Sequence, residues 1–141
     1  MAYWLFKSDP ETYGFPELQR DQQTVWDGVS NNLALKHLRS ARKGDKIFIY
    51  HSGAEKAIVG MAEVAKAAYP DPKQNDPKLS VVDIKAGKKL PKPVTLAEIK
   101  ARKEFANLPL VRMPRLSVMP IDEPHAERIL QMASSSKQSS S

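Results

Sequence analysis

The chain has 141 residues, 41% hydrophobic and 27% charged, the composition of one soluble globular domain, which excludes a fibrous repeat or a wholly disordered chain. It has no cysteine, so disulfides, thiolate metal sites and cysteine nucleophiles are excluded. The formal net charge of +6 suits a polyanion as partner and is unevenly spread: residues 1–35 hold five acids and two bases, residues 85–115 nine bases and two acids. The longest apolar runs, such as Ile47 to Tyr50, fall far short of the roughly 20 residues of a membrane span. Tyr3-Trp4-Leu5-Phe6 is too short for a signal peptide and has no basic leader, so a cytoplasmic protein without membrane partners is expected.

In chain order, Tyr3 to Lys7 reads as a strand that stops at Ser8-Asp9-Pro10. Pro16 suits the first turn of a short helix ending near Asp21, and Thr24 to Val29 reads as another strand or extended segment. From Asn31 to Lys43, Ala34, Leu35, Leu38 and Ala41 recur at helical spacing, with Asn31 or Asn32 as N-cap. Lys36, Arg39 and Lys43 then fall on one helical face as a basic stripe. Gly44-Asp45 turns the chain into Lys46 to His51, apolar on both faces as a central strand is, and Ala57 to Ala67 gives another.

Tyr69-Pro70-Asp71-Pro72 through Asp76-Pro77 is a proline-punctuated loop joining neighbouring strands, the second being Ser80 to Lys85 with one wet face. Thr95-Leu96-Ala97-Glu98 has capping-box spacing and predicts a helix to about Lys103. Leu116 to Met119 is a short strand, and Asp122 caps a last helix with Ala126, Ile129, Leu130 and Ala133 as its apolar stripe. The expected organisation is one domain over residues 1–133 and a disordered serine-rich tail over residues 134–141. Strands with interspersed short helices and no regular alternation predict an α+β domain on a mixed or barrel-like sheet.

No Gly-x-Gly-x-x-Gly or Walker-type loop appears among six glycines, so no nucleotide cofactor is expected, and no acidic spacing predicts a metal site. The candidate site residues lie at strand ends, where rigid backbone meets solvent. They are Lys7-Ser8-Asp9-Pro10, Trp26-Asp27-Gly28-Val29, Asn31-Asn32, Tyr50-His51-Ser52 and Arg115-Leu116-Ser117-Val118.

Those segments, with Ile58-Val59-Gly60, Ala62-Glu63-Val64 and Tyr69-Pro70-Asp71-Pro72, resemble the motifs of EVE domains in order over about residues 3–132. The resemblance implies a PUA-like curved mixed sheet or pseudobarrel with short flanking helices, related in fold to YTH and ASCH domains. It also implies recognition of modified bases in DNA or RNA. Two departures stand out. Ser30 and Leu35 occupy places where the family usually has arginines, and Asp9 stands where glutamate is common.

With that resemblance, Trp26 is expected in a base-binding pocket, where stacking on an indole contributes about 1 to 3 kcal/mol, whereas Trp4, inside an apolar strand, belongs to the core. Lys7, Ser8, Asp27, Gly28, Val29, Asn31, Tyr50, His51 and Ser52 complete the expected pocket, with hydroxyl, imidazole and amide groups to read a base edge. Gly28 is expected to permit a sharp turn or a close approach of ligand to backbone. Lys36, Arg39, Lys43 and Arg115 are expected on phosphates. The expected function is therefore non-catalytic recognition of a base in DNA or RNA, with no cofactor. The alternative is a small hydrolase acting on a modified nucleoside in the same cavity, with His51 beside Ser52, Ser8 or Ser117 as hydroxyls and Asp27 as orienting carboxylate.

Overall fold

Apolar runs interrupted by turn residues give β1 (Tyr3–Ser8), β2 (Gln23–Trp26), β3 (Lys46–His51), β4 (Ala57–Pro70), β5 (Ser80–Thr95) and β6 (Val118–Ile121). The computed structural model describes residues 2–73, 76 and 78–139. The strands form one sheet of order β2-β5-β4-β3-β1-β6, in which β1 and β3 are parallel and the other pairs antiparallel. Around it lie α1 (Pro10–Tyr13), α2 (Phe15–Asp21), α3 (Asn32–Ser40), α4 (Leu96–Lys100), α5 (Pro109–Arg112) and α6 (Glu123–Ser139), with a 3-10 turn at Lys103–Phe105. This is the expected mixed α+β class.

The sheet is strongly curved. β2 and β1 stand four steps apart in strand order, about 19 Å in a flat sheet, yet the rings of Trp26 and Phe6 are 5.6 Å apart. Register shifts at Ile49/Tyr50 and at four places along the β4–β5 pair supply the bending. One of them lets β5 run on past Lys85, where the sequence pattern ends it. Pro91 and Pro93 lie between the paired residues Lys89 and Val94, outside the ladder, so their missing N–H groups cost no pairing.

The hollow of the sheet is filled from α2. Phe15 is buried, its amide donates to His51 Nε2 at 2.9 Å, and its ring lies where a Cβ on Gly60 would stand. Gly60 is therefore glycine because an aromatic ring needs the space. α3 packs Ala34, Leu35 and Leu38 into the core, each leucine contributing roughly 1.5 to 3 kcal/mol. Asn31 is its N-cap, accepting from the Ala34 amide at 3.0 Å.

α3 ends at Ser40, three residues before the predicted Lys43. Ala41 is extended, the Asp45 carboxylate takes the Arg42 amide at 2.8 Å, and Gly44 turns the chain at φ +93°. Lys43 thus sits on the turn, and only Lys36 and Arg39 of the expected stripe share the helix. β2 likewise stops at Trp26 rather than Val29, and α4 at Lys100 rather than Lys103. α6 continues to Ser139, past the predicted start of the tail at Ser134, and residues 140–141 lie outside the described residues.

Asp45 also accepts the buried indole N–H of Trp4 at 2.9 Å and the Ala2 amide at 3.2 Å. Burial opposes its charge, but these donors prevail and hold the carboxyl below the usual carboxylate value. Because the folded state depresses this pKa, the stabilisation is present above the unfolded aspartate value of about 3.9 and disappears as pH falls through the lower folded value. Asp45→Ala leaves buried donors unpaired and is expected to cost about 1 to 3 kcal/mol in urea unfolding at pH 7. The deficit relative to the unaltered protein should shrink as pH drops below 4. Gly60→Ala is expected to cost about 1 to 3 kcal/mol by overpacking, and Phe15→Leu in the same chain should recover part of it, the coupling being read from a double-mutant cycle.

Candidate functional site

Curvature brings the C-terminal ends of β1 and β2 together, and a cavity of about 680 Å³ opens between them, within the usual range for ligand sites. β1 and its exit contribute Lys7, Ser8 and Asp9, and α1 contributes Thr12 and Tyr13. β2 and the turn after it contribute Thr24, Val25, Trp26, Asp27, Gly28 and Val29, with Lys73 and Ser117 on the rim. Six of the ten predicted pocket residues therefore line one cavity: Lys7, Ser8, Trp26, Asp27, Gly28 and Val29.

Trp26 is half-buried, its ring packed against Phe6 at a 41° tilt while it also forms part of the cavity wall. Lys7 extends over the Tyr50 ring, 5.6 Å from its centroid, and donates to the Pro114 carbonyl at 2.7 Å. Partial burial lowers its pKa from the ordinary lysine value. The Ser8 hydroxyl is committed to the Tyr13 carbonyl. Gly28 has φ +78° and open space around its missing side chain, so conformation rather than close approach accounts for the glycine.

The other four predicted pocket residues, Asn31, Tyr50, His51 and Ser52, do not line the cavity. Tyr50 is buried beneath Lys7, and burial raises its phenol pKa. His51 is buried, with Nε2 accepting from Phe15 and Nδ1 2.7 Å from Glu55, a pattern that fixes the Nδ1-protonated tautomer. Both ring nitrogens are occupied away from the cavity. Ser52 donates its amide to the Ser8 carbonyl at 2.9 Å, locking the β1–β3 exit, and Asn31 is used as a helix cap.

Of the phosphate candidates, Lys36 and Arg39 are exposed on α3, Lys43 is on the following turn, and Arg115 is exposed next to Pro114, whose carbonyl accepts from Lys7. Sequence reasoning missed Thr12, Tyr13, Thr24, Val25 and Lys73 as wall residues. The first two follow from Pro10 opening a single helical turn capped by Asp9. Lys73 comes from the proline loop, whose approach is fixed by Tyr69 donating to Asp83 at 2.5 Å. That hydrogen bond first, then burial, pushes the Tyr69 phenol up to about 12.

A family model described as EVE domain matches residues 2–132. The chain belongs to the EVE domain family. Thymocyte nuclear protein 1 from human is 29% identical, the match covering 93% of this chain and 73% of that protein. Among solved structures, a Rhodopseudomonas palustris protein determined by NMR is 40% identical at a TM-score of 0.90, covering 94% of this chain and 93% of its own. The human THYN1 protein in complex with 5-methylcytosine containing DNA is 29% identical at a TM-score of 0.86, covering 94% and 98%. An ASCH protein of Zymomonas mobilis, 11% identical at 0.61, shares the fold.

In this EVE domain, Gly28→Ala should strain one residue by about 1 to 2 kcal/mol and displace the Asp27–Val29 wall. The expected result is a modest fall in melting temperature with chemical-shift changes confined to the cavity. Unchanged shifts at Trp26 and Val29 would remove the structural role given to Gly28.

Proposed function

We propose that this EVE domain is a non-catalytic nucleic-acid-binding module that takes one modified base, turned out of its stack, into the cavity beside Trp26. The single observation that carries the reading is the half-buried Trp26 in a cavity wall that also holds Lys7, Asp27 and the main chain of Asp27-Gly28-Val29. An indole stacks on any base, whereas lysine donates to base acceptors and a carboxylate accepts from an exocyclic amine such as cytosine N4. Unstacking costs a few kcal/mol, offset by stacking, edge hydrogen bonds and backbone contacts. The THYN1 complex with 5-methylcytosine containing DNA supports this reading.

The placement of His51 speaks for binding rather than hydrolysis, because its imidazole is held between Phe15 and Glu55 behind the cavity. Phosphates would be met by Lys36, Arg39, Lys43 and Arg115.

Trp26→Ala is expected to lose about 1 to 3 kcal/mol of base-dependent affinity while weak, salt-dependent binding remains. Trp26→Phe should retain most of the preference. Titration of matched DNA and RNA oligonucleotides, with and without 5-methylcytosine, checks this alongside the melting temperature. An intact fold with undiminished discrimination in Trp26→Ala rejects the pocket.

A further inference from the structure

The described cations do not share one fate. Lys46 and Lys85 both pair with Glu63, Lys92 with Glu98, and Arg128 with Glu104. Lys36, Arg39, Lys73 and Lys78 have no carboxylate partner among the described residues, and between Asp27 and Asp45 the chain has no acid at all.

These four are linked by structure as well as by charge. Arg39 on α3 donates from Nη1 to the Lys78 carbonyl at 3.3 Å, which ties the exposed helix face to the β4–β5 loop. At its other end the loop places Lys73 in the cavity wall. The loop's own acids are turned onto its backbone: Asp71 accepts from the Lys73 amide and Asp76 from the Lys78 amide, each at 2.9 Å. The Asp71 amide closes the loop on Leu79 at 3.0 Å. Carboxylates that accept from main-chain amides are not paired with these lysines, so both lysine side chains are left to solvent.

We infer that Lys73, Lys78, Arg39 and Lys36 form one directional track along which the phosphates on a single side of the bound nucleotide leave the cavity, over the β4–β5 loop and onto α3. The inference rests on the proposed base-reading cavity and adds to it the path of the strand and a role for two loop lysines. Such a track neutralises phosphates without reading sequence, so it sets affinity and salt dependence and leaves base preference alone.

The test uses the full chain and single-stranded DNA with one 5-methylcytosine, placed near the 5′ end in one oligonucleotide and near the 3′ end in another. The triple variant Lys36→Ala, Lys73→Ala, Lys78→Ala keeps Arg39 and therefore the loop anchor. It is expected to flatten the log–log salt slope by about 2, at roughly 0.7 per lost phosphate contact. Affinity should fall at least tenfold at low salt for the oligonucleotide whose longer arm follows the track, and change little for the other. The preference for modified over unmodified DNA should stay as in the unaltered domain in the double variant Lys36→Ala, Lys78→Ala, which leaves the cavity lining untouched. The control pair Lys88→Ala, Lys89→Ala, on the exposed part of β5, should leave both slopes unchanged.

An unchanged slope in the triple variant, an equal loss on both oligonucleotides, or a larger loss in the control pair overturns the track. Equal binding of modified and unmodified DNA by the unaltered domain overturns the reader function while the salt slopes still judge the track. Absence of salt-dependent binding by the unaltered domain overturns both.

Discussion

Contact between Phe6 and Trp26 across the mouth of the curved sheet is the constraint on which the site depends. A flat six-stranded sheet would put β1 and β2 on opposite sides of the molecule, with Lys7 and Ser8 far from Asp27 and Val29. Curling brings both strand ends to one place, and the space left there is the cavity. The same indole therefore holds the closure and forms the wall. Changing it therefore alters the closure of the sheet as well as the lining of the cavity.

Support beneath the cavity is built from the polar groups that a catalytic reading would have used. His51 spends its nitrogens on the Phe15 amide and Glu55, Ser8 its hydroxyl on Tyr13, and Ser52 its amide on Ser8. Each bond ties a neighbouring element to the β1–β3 exit. A wall held this way loses little freedom when a ligand enters, which lowers the cost of binding.

Legibility from sequence followed how local each determinant was. An asparagine cap at 31 or 32, the Thr95–Glu98 box and the burial of Trp4 and β3 were readable because neighbours in the chain decide them, though the cap is Asn31, which was also expected in the pocket. The end of α3 was not, because the carboxylate that takes the Arg42 amide is engaged with Trp4 and Ala2 across the fold. β5 was cut short because the alternation of Val82 and Ile84 against Asp83 and Lys85 ends at Lys85, whereas its continuation to Thr95 is set by bulged pairing with β4. Six residues of the motif segments line one cavity. Lys73 escaped because only tertiary structure carries the proline loop to the rim.

The position of β1 inside the sheet also constrains how the molecule is made. β1 begins the chain, yet one of its edges pairs with β3 and the other only with β6, Val118–Ile121. During synthesis the backbone beside Trp4, Leu5 and Phe6 thus has an open hydrogen-bonding edge until almost the whole domain has left the ribosome. Such an edge on a strongly apolar strand is a template for pairing with other chains. A product ending before residue 118 would leave that edge of β1 without its partner strand.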